Sequence, residues 1–123
     1  MSCRILYVDD EADIREIAEM ALELDPQFSV RSCGSGRDGI AQARDWQPDL
    51  ILLDVMMPEL DGSAVLGQLR ADPATEAIPV VFITARTQAH EVAHLRALGA
   101  RGVIAKPFDP MLLVRQVRDF LDG

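Results

Sequence analysis

At 123 residues, 49% of them apolar, the chain suits one domain spanning residues 1–123 with a sizeable core. Its formal net charge of −8 argues against a nucleic-acid-binding surface, which needs clustered lysine and arginine, and no apolar run approaches the ~18 residues of a membrane span. The N-terminus carries no charged-then-apolar leader, and Cys3 and Cys33 are too few for a disulfide framework and lack metal-ligand spacing, so the chain reads as a cytoplasmic protein with reduced thiols.

Apolar runs alternate with helix-like segments. Arg4–Val8 predicts the first strand, and Asp9-Asp10-Glu11 follows it directly. Ala12–Leu24 predicts a helix, with Ile14, Ile17, Ala18, Ala21 and Leu22 at helical spacing and Pro26 beyond its end. Phe28–Cys33 alternates apolar and polar residues, as an edge strand does, and leads through a glycine-rich loop to a helix over Gly39–Trp46. Leu50–Asp54 and Pro79–Thr84 are near-continuous apolar runs, the pattern of strands buried on both faces; between them Ser63–Leu69 predicts a helix. A helix over Ala89–Leu98 stops at Gly99, a short strand runs from Gly102 to Ala105, and Asp109-Pro110 predicts the cap and first residue of a last helix over Pro110–Leu121. Strict alternation of strand and helix predicts a parallel sheet with right-handed crossovers and helices on both faces.

Ligands of such sheets bind at the carboxyl ends of the strands. Those ends carry Asp9 and Asp10, then Asp54, Thr84 and Lys106. Three carboxylates at one edge repel one another unless one takes a proton or a cation joins them. A hard divalent cation such as Mg²⁺, which prefers a few carboxylates, water and a phosphate oxygen, removes the conflict. Lys106 adds a fixed positive charge, so the pocket suits a phosphoryl group near Asp54, and carboxylates are established nucleophiles for aspartyl phosphates.

These residues carry a resemblance. "DDE" after the first strand, "DVMMPELDG" from Asp54, "TA" ending the fourth strand and "KPF" ending the fifth look like a response-regulator receiver domain, a chemotaxis-regulator-like module of two-component signalling, over essentially the whole chain. The resemblance implies a (βα)5 flavodoxin-like fold, strand order 2-1-3-4-5. It implies that Asp54 accepts a phosphoryl group from a sensor histidine kinase or phosphotransfer protein. Asp10 and Asp54 would bind Mg²⁺ directly, Asp9 mostly through water, and Met56 through its backbone carbonyl. Lys106 would contact Asp54 and then the phosphoryl oxygens, and Thr84 would hydrogen-bond the phosphoryl group. Lys106-Pro107 would be a cis peptide, and Gly62 would permit a sharp turn after Asp61. The protein would be a switch that catalyses its own phosphorylation and slow dephosphorylation. It would pass its signal to an output protein or a fused output domain, with a linker starting at Gly123. It would contact neither nucleic acid nor membrane.

Other readings compete. An aspartate-nucleophile phosphohydrolase usually places a second acid two residues after the nucleophile, where this chain has Met56, and a purely structural module has no use for the acidic site. "GSGRDG" (Gly34–Gly39) matches a dinucleotide fingerprint but follows a polar edge strand, and "HEVAH" (His90–His94) matches a zinc-protease helix but lacks a third ligand. Arg115 and Arg118 on the last helix are candidates for a partner surface. The chain also departs from the family: Val103 stands where the switch aromatic is usual, and Met56 and Arg86 occupy the positions that tune phosphoryl lifetime. Arg101 and Gly102 replace the acids before the fifth strand, and Gln116 replaces the helix-five arginine, which predicts a monomer.

Overall fold

Ten elements alternate in the computed structural model, which describes residues 2–122; Gly123, the expected start of a linker, lies outside them. They are β1 (Cys3–Val8), α1 (Ala12–Leu22), β2 (Phe28–Cys33), α2 (Gly36–Trp46), β3 (Leu50–Asp54), α3 (Gly62–Ala71), β4 (Val80–Thr84), α4 (Ala89–Ala97), β5 (Gly102–Ala105) and α5 (Leu113–Asp122). The strands form one parallel sheet in the order β2-β1-β3-β4-β5. Both near-continuous apolar strands, β3 and β4, are buried at every residue, and the alternating β2 lies at an edge.

Side chains alternate across the sheet and divide the core in two. Leu6, Val8, Ile51, Leu53, Val80 and Phe82 pack on one face with α2, α3 and α4 residues such as Ala43, Leu66 and Leu95. Ile5, Tyr7, Leu50, Leu52, Val81 and Ile83 pack on the other with Ala18 and Leu22 of α1 and Leu113 and Val117 of α5. Each fully buried large side chain contributes about 1.5–3 kcal/mol relative to exposure, which holds the strand ends in fixed positions.

Several expected boundaries move. The last helix begins at Leu113, because Asp109 first closes a turn: its carboxylate accepts from the Met111 N–H (2.9 Å) and its carbonyl from the Leu112 N–H (3.0 Å). Pro110 therefore opens that turn rather than the helix. The second helix starts at Gly36, capped by the Ser35 side chain, so the expected loop is the helix's first turn. Gly36 and Gly39 serve packing: a Cβ at Gly39 would lie 3.0 Å from Val8 and one at Gly36 2.6 Å from Val65. Gly62 also differs from expectation. The left-handed residue of its loop is Glu59 (φ 65°), whereas a Cβ at Gly62 would lie 2.5 Å from the Asp54 carbonyl oxygen. Its missing side chain permits close approach of α3 to the end of β3. The Lys106-Pro107 peptide is cis, as expected.

Candidate functional site

The parallel register brings the strand ends to one edge, with Val8 beside Leu53, Asp54 beside Ile83 and Thr84 beside Ala105. Asp9 and Asp10 enter from β1, Asp54 from β3, Thr84 from β4 and Lys106 from the turn after β5. Asp9 and Asp54 are buried, while Asp10 is exposed. Asp9, Asp10 and Asp54 each offer an oxygen within 4.8 Å of the others, and among the described residues this is the one group of three potential metal ligands.

Lys106 Nζ sits among the acids, 3.1 Å from Asp9 Oδ2 and 3.5 Å from both Asp54 Oδ2 and Glu11 Oε1. Its nearest partner is thus Asp9 rather than the expected Asp54. Burial works against the ammonium, but its hydrogen bond to Asp9 and the charges of Asp54, Asp9 and Glu11 outweigh this and raise its pKa. One lysine does not balance the site: burial, then the charge of Asp9, push Asp54 up to about 6 against the pull of Lys106. The remaining deficit and the all-oxygen donor set fit a hard divalent cation such as Mg²⁺.

Tyr7 and Arg15 were not singled out from sequence, and Glu11 was read only as part of "DDE". Tyr7, fully buried, donates its hydroxyl to Asp9 Oδ2 at 3.0 Å; burial and the charge of Asp9 raise its pKa, which keeps it a donor. The Glu11 N–H donates to Asp9 Oδ1 (3.0 Å), and Arg15 Nη1 donates to the Asp9 carbonyl (2.8 Å), fixing the loop after β1. The signal for Tyr7 was available: it stands two residues before Asp9 and so faces the same side of the strand.

Thr84 is buried beside the site, and its hydroxyl oxygen accepts from the Arg86 N–H at 3.0 Å. The Met56 side chain is 67% exposed, whereas Met57 is buried in the core. A cavity of about 500 Å³ opens beside Asp54, Thr84 and Lys106, walled by Ile14, Ile17 and Phe108. Ile17, placed by helical spacing on the core face, is 43% exposed because it forms part of that wall. Across Met56 and Thr84 lies a second cavity of about 380 Å³, bordered by Arg86, His90, Glu91 and His94.

The two competing motifs find no chemistry. His90 and His94 are exposed, with Glu91 3.7 Å from His90 Nε2, and among the described residues no third zinc ligand joins them. The "GSGRDG" segment follows the edge strand β2 and uses its glycines for packing. Arg118, a candidate for a partner surface, is engaged internally by Asp25 at 2.6 Å and stands over the Phe28 ring at 4.9 Å; Arg115 is exposed. Val103 is half-buried against the α2–α4 side of the core. No helix among the described residues is long and apolar enough to cross a membrane.

Comparison with known proteins gives a consistent picture. A family model described as the response regulator receiver domain matches residues 5–118. The transcriptional regulatory protein CseB of Streptomyces coelicolor is 38% identical over 117 residues, covering 95% of this chain and 48% of that protein. The DNA-binding response regulator MtrA of Mycobacterium tuberculosis is 38% identical over 118 residues, covering 96% and 50%. The chain therefore spans about half the length of these curated relatives. Among solved structures, the chemotaxis protein CheY4 of Vibrio cholerae superimposes with a TM-score of 0.89 at 28% identity, covering 98% of this chain and 99% of that one. A putative response regulator from Chloroflexus aurantiacus gives a TM-score of 0.89 at 29% identity, with both chains fully covered.

Proposed function

The chain belongs to the response-regulator receiver family of two-component signalling, and from that premise we propose that Asp54 accepts a phosphoryl group from a phosphohistidine on a sensor histidine kinase or phosphotransfer protein in a Mg²⁺-dependent reaction. The observation that carries the reading is the convergence of Asp54, Asp9, Asp10 and Lys106 at one sheet edge, with the three acids' oxygens within 4.8 Å of one another. In the transfer, an Asp54 carboxylate oxygen attacks phosphorus, a P–O bond forms as the donor's P–N bond breaks, and the donor ring, protonated on its other nitrogen, leaves as neutral imidazole. Asp10, Asp54, the Met56 carbonyl and, largely through water, Asp9 would hold the magnesium, which when bound supplies charge compensation for the transferring oxygens. Lys106 exchanges its carboxylate partners for a phosphoryl oxygen. Thr84, whose hydroxyl proton is free to point toward the site, donates to another and draws its loop along.

The apolar wall of Ile14, Ile17 and Phe108 beside Asp54 supports docking of a protein donor, since exposed apolar surface next to a reactive group marks a contact site. Met56 and Arg86 stand at the borders of the site and would set water access, and with it the slow loss of the phosphoryl group. The phosphohydrolase alternative is not favoured: no acid stands two residues after Asp54, where Met56 points an apolar side chain outward.

The match over residues 5–118 supports one receiver domain across residues 1–123, acting in the cytoplasm. Output passes to a partner protein or a fused output domain, a reading supported by relatives about twice as long, while the acidic charge disfavours nucleic-acid contact by this chain itself.

The test is intact-mass spectrometry after incubation with a small phosphodonor and Mg²⁺. The wild type is expected to gain one hydroxylamine-labile phosphate and Asp54→Asn none. Equal labelling of the two proteins overturns the assignment.

A further inference from the structure

We infer that Tyr7 is a positioning residue for phosphorylation: its buried hydroxyl keeps the Asp9 carboxylate in place, so that Lys106 can leave Asp9 for the phosphoryl group. The inference rests on the reading of Asp54 as phosphoacceptor.

Asp9 Oδ2 has two donors of different kinds. Tyr7 Oη, at 3.0 Å, belongs to a fully buried ring whose edge meets Phe108, with centroids 6.4 Å apart and planes at 69°. Lys106 Nζ, at 3.1 Å, ends a flexible chain that is also within 3.5 Å of Asp54 and Glu11. Lys106 is thus shared among three acids and free to change partners, while the phenol is locked by its ring. Asp9 Oδ1 is held by the Glu11 N–H. If Lys106 alone served Oδ2, its departure would leave a buried carboxylate oxygen without a donor, a costly state that would tether the lysine. Tyr7 removes that cost. A buried tyrosine needs some partner for its hydroxyl in any case. What separates positioning from mere satisfaction is coupling between Tyr7 and Lys106 through one oxygen atom.

The experiment is a double-mutant cycle with Tyr7→Phe and Lys106→Met, read by three measurements. These are the rate of phosphorylation by a small phosphodonor at saturating Mg²⁺, beryllofluoride affinity, and Mn²⁺ binding followed by electron paramagnetic resonance. Tyr7→Phe deletes one oxygen and keeps the ring, and thermal unfolding checks that the fold persists. Alone it should slow phosphorylation and weaken beryllofluoride binding by roughly fivefold, while Mn²⁺ affinity stays within about twofold because Lys106 still holds Asp9. In the Lys106→Met background it should instead weaken Mn²⁺ binding by roughly fivefold, since Oδ2 then has no donor, and leave the residual rate little changed. Wild-type rate and beryllofluoride affinity in Tyr7→Phe would overturn the inference. So would equal effects on all measurements in both backgrounds, which would mark a purely structural role. Failure of the Asp54 reading would appear separately, as labelling of Asp54→Asn.

Discussion

Two cavities share Met56 and Thr84, the first of them also lined by Asp54, yet their walls differ in character. The α1 side presents Ile14, Ile17 and Phe108; the α4 side presents Arg86, His90, Glu91 and His94. The acidic cluster thus lies beside an apolar surface on one side and a polar, arginine-bearing one on the other. An apolar wall rewards a partner that buries it, whereas a polar wall with an arginine beside the site acts on charge developing at the site. On this contrast, substitutions on the α1 side should affect who delivers the phosphoryl group. Those on the α4 side should affect how long it stays and who reads it. Both depend on Asp54, so Asp54→Asn should remove phosphoryl acceptance altogether, the largest effect expected.

The next largest effect separates the walls. Ile17→Lys places a charge on the apolar side at a position exposed enough to take it without disturbing the core. Transfer from a phosphorylated kinase or phosphotransfer protein should fall about tenfold, a size typical of one lost interface anchor, while phosphorylation by a small donor stays unchanged. Arg86→Ala, on the other wall, should leave delivery from the protein donor intact and change the rate of phosphoryl loss. If Ile17→Lys slowed both donors equally, the apolar wall would belong to the chemistry rather than to docking, and the contrast would fail.

The sheet and the acidic cluster were legible in the sequence because both follow from period and position. Continuous apolar runs mark doubly buried strands, and the residues at their carboxyl ends share an edge in a parallel sheet. The cavity walls were less legible. Ile17 has the spacing of a core residue, and only the distance between α1 and the turn after β5 leaves it half open. The Lys106–Asp9 preference depends on where a flexible side chain settles among three acids, which motif spacing does not encode. The start of α5 was misplaced because Asp-Pro opens a turn as readily as a helix, and the hydrogen bonds of Asp109 decided between them. Gly62 was read as a turn glycine, whereas its role comes from the approach of α3 to the Asp54 carbonyl, a tertiary contact.

The acidic cluster also carries a stability cost that neither wall supplies. Asp54 moves from 3.8 up to about 6 through burial and the charge of Asp9. Between those values the folded protein binds more protons than the unfolded chain, so metal-free stability falls as pH rises through this window and then levels. The share of Asp54 is on the order of 3 kcal/mol. In EDTA near neutral pH, Asp54→Asn should therefore melt a few degrees higher than the wild type, and the gap should close toward pH 4. Mg²⁺ well above its dissociation constant should return about 1–3 kcal/mol to the wild type and less to the variant. Melting curves across pH, with and without Mg²⁺, check both parts. Equal curves for the two proteins in EDTA would mean that Lys106 already balances the cluster.

The smallest expected effect is an absence of association, and it tests the α4 side. From Ala85 to Ala105 the chain has three arginines against a single acid, Glu91, in a protein of net charge −8. Helix α4 in this segment buries only Leu95, so its charges face outward. Arg101, which stands where receiver domains that dimerise through this face usually carry an acid, is exposed and turns its guanidinium to the Phe120 carbonyl of α5 at 3.0 Å. A twofold dimer through this surface would set each basic patch against its own copy, with Gln116 in place of the arginine that would pair across it. Like charges oppose association, and exposed ion pairs contribute little even when their signs match. The beryllofluoride-bound domain should therefore sediment as a monomer at micromolar concentration, in low and in moderate salt alike. A dimer that formed only in Arg101→Asp would show that repulsion at this face had been the obstacle. A tight dimer of the wild type through α4 and β5 would show that the basic wall does not govern assembly at all.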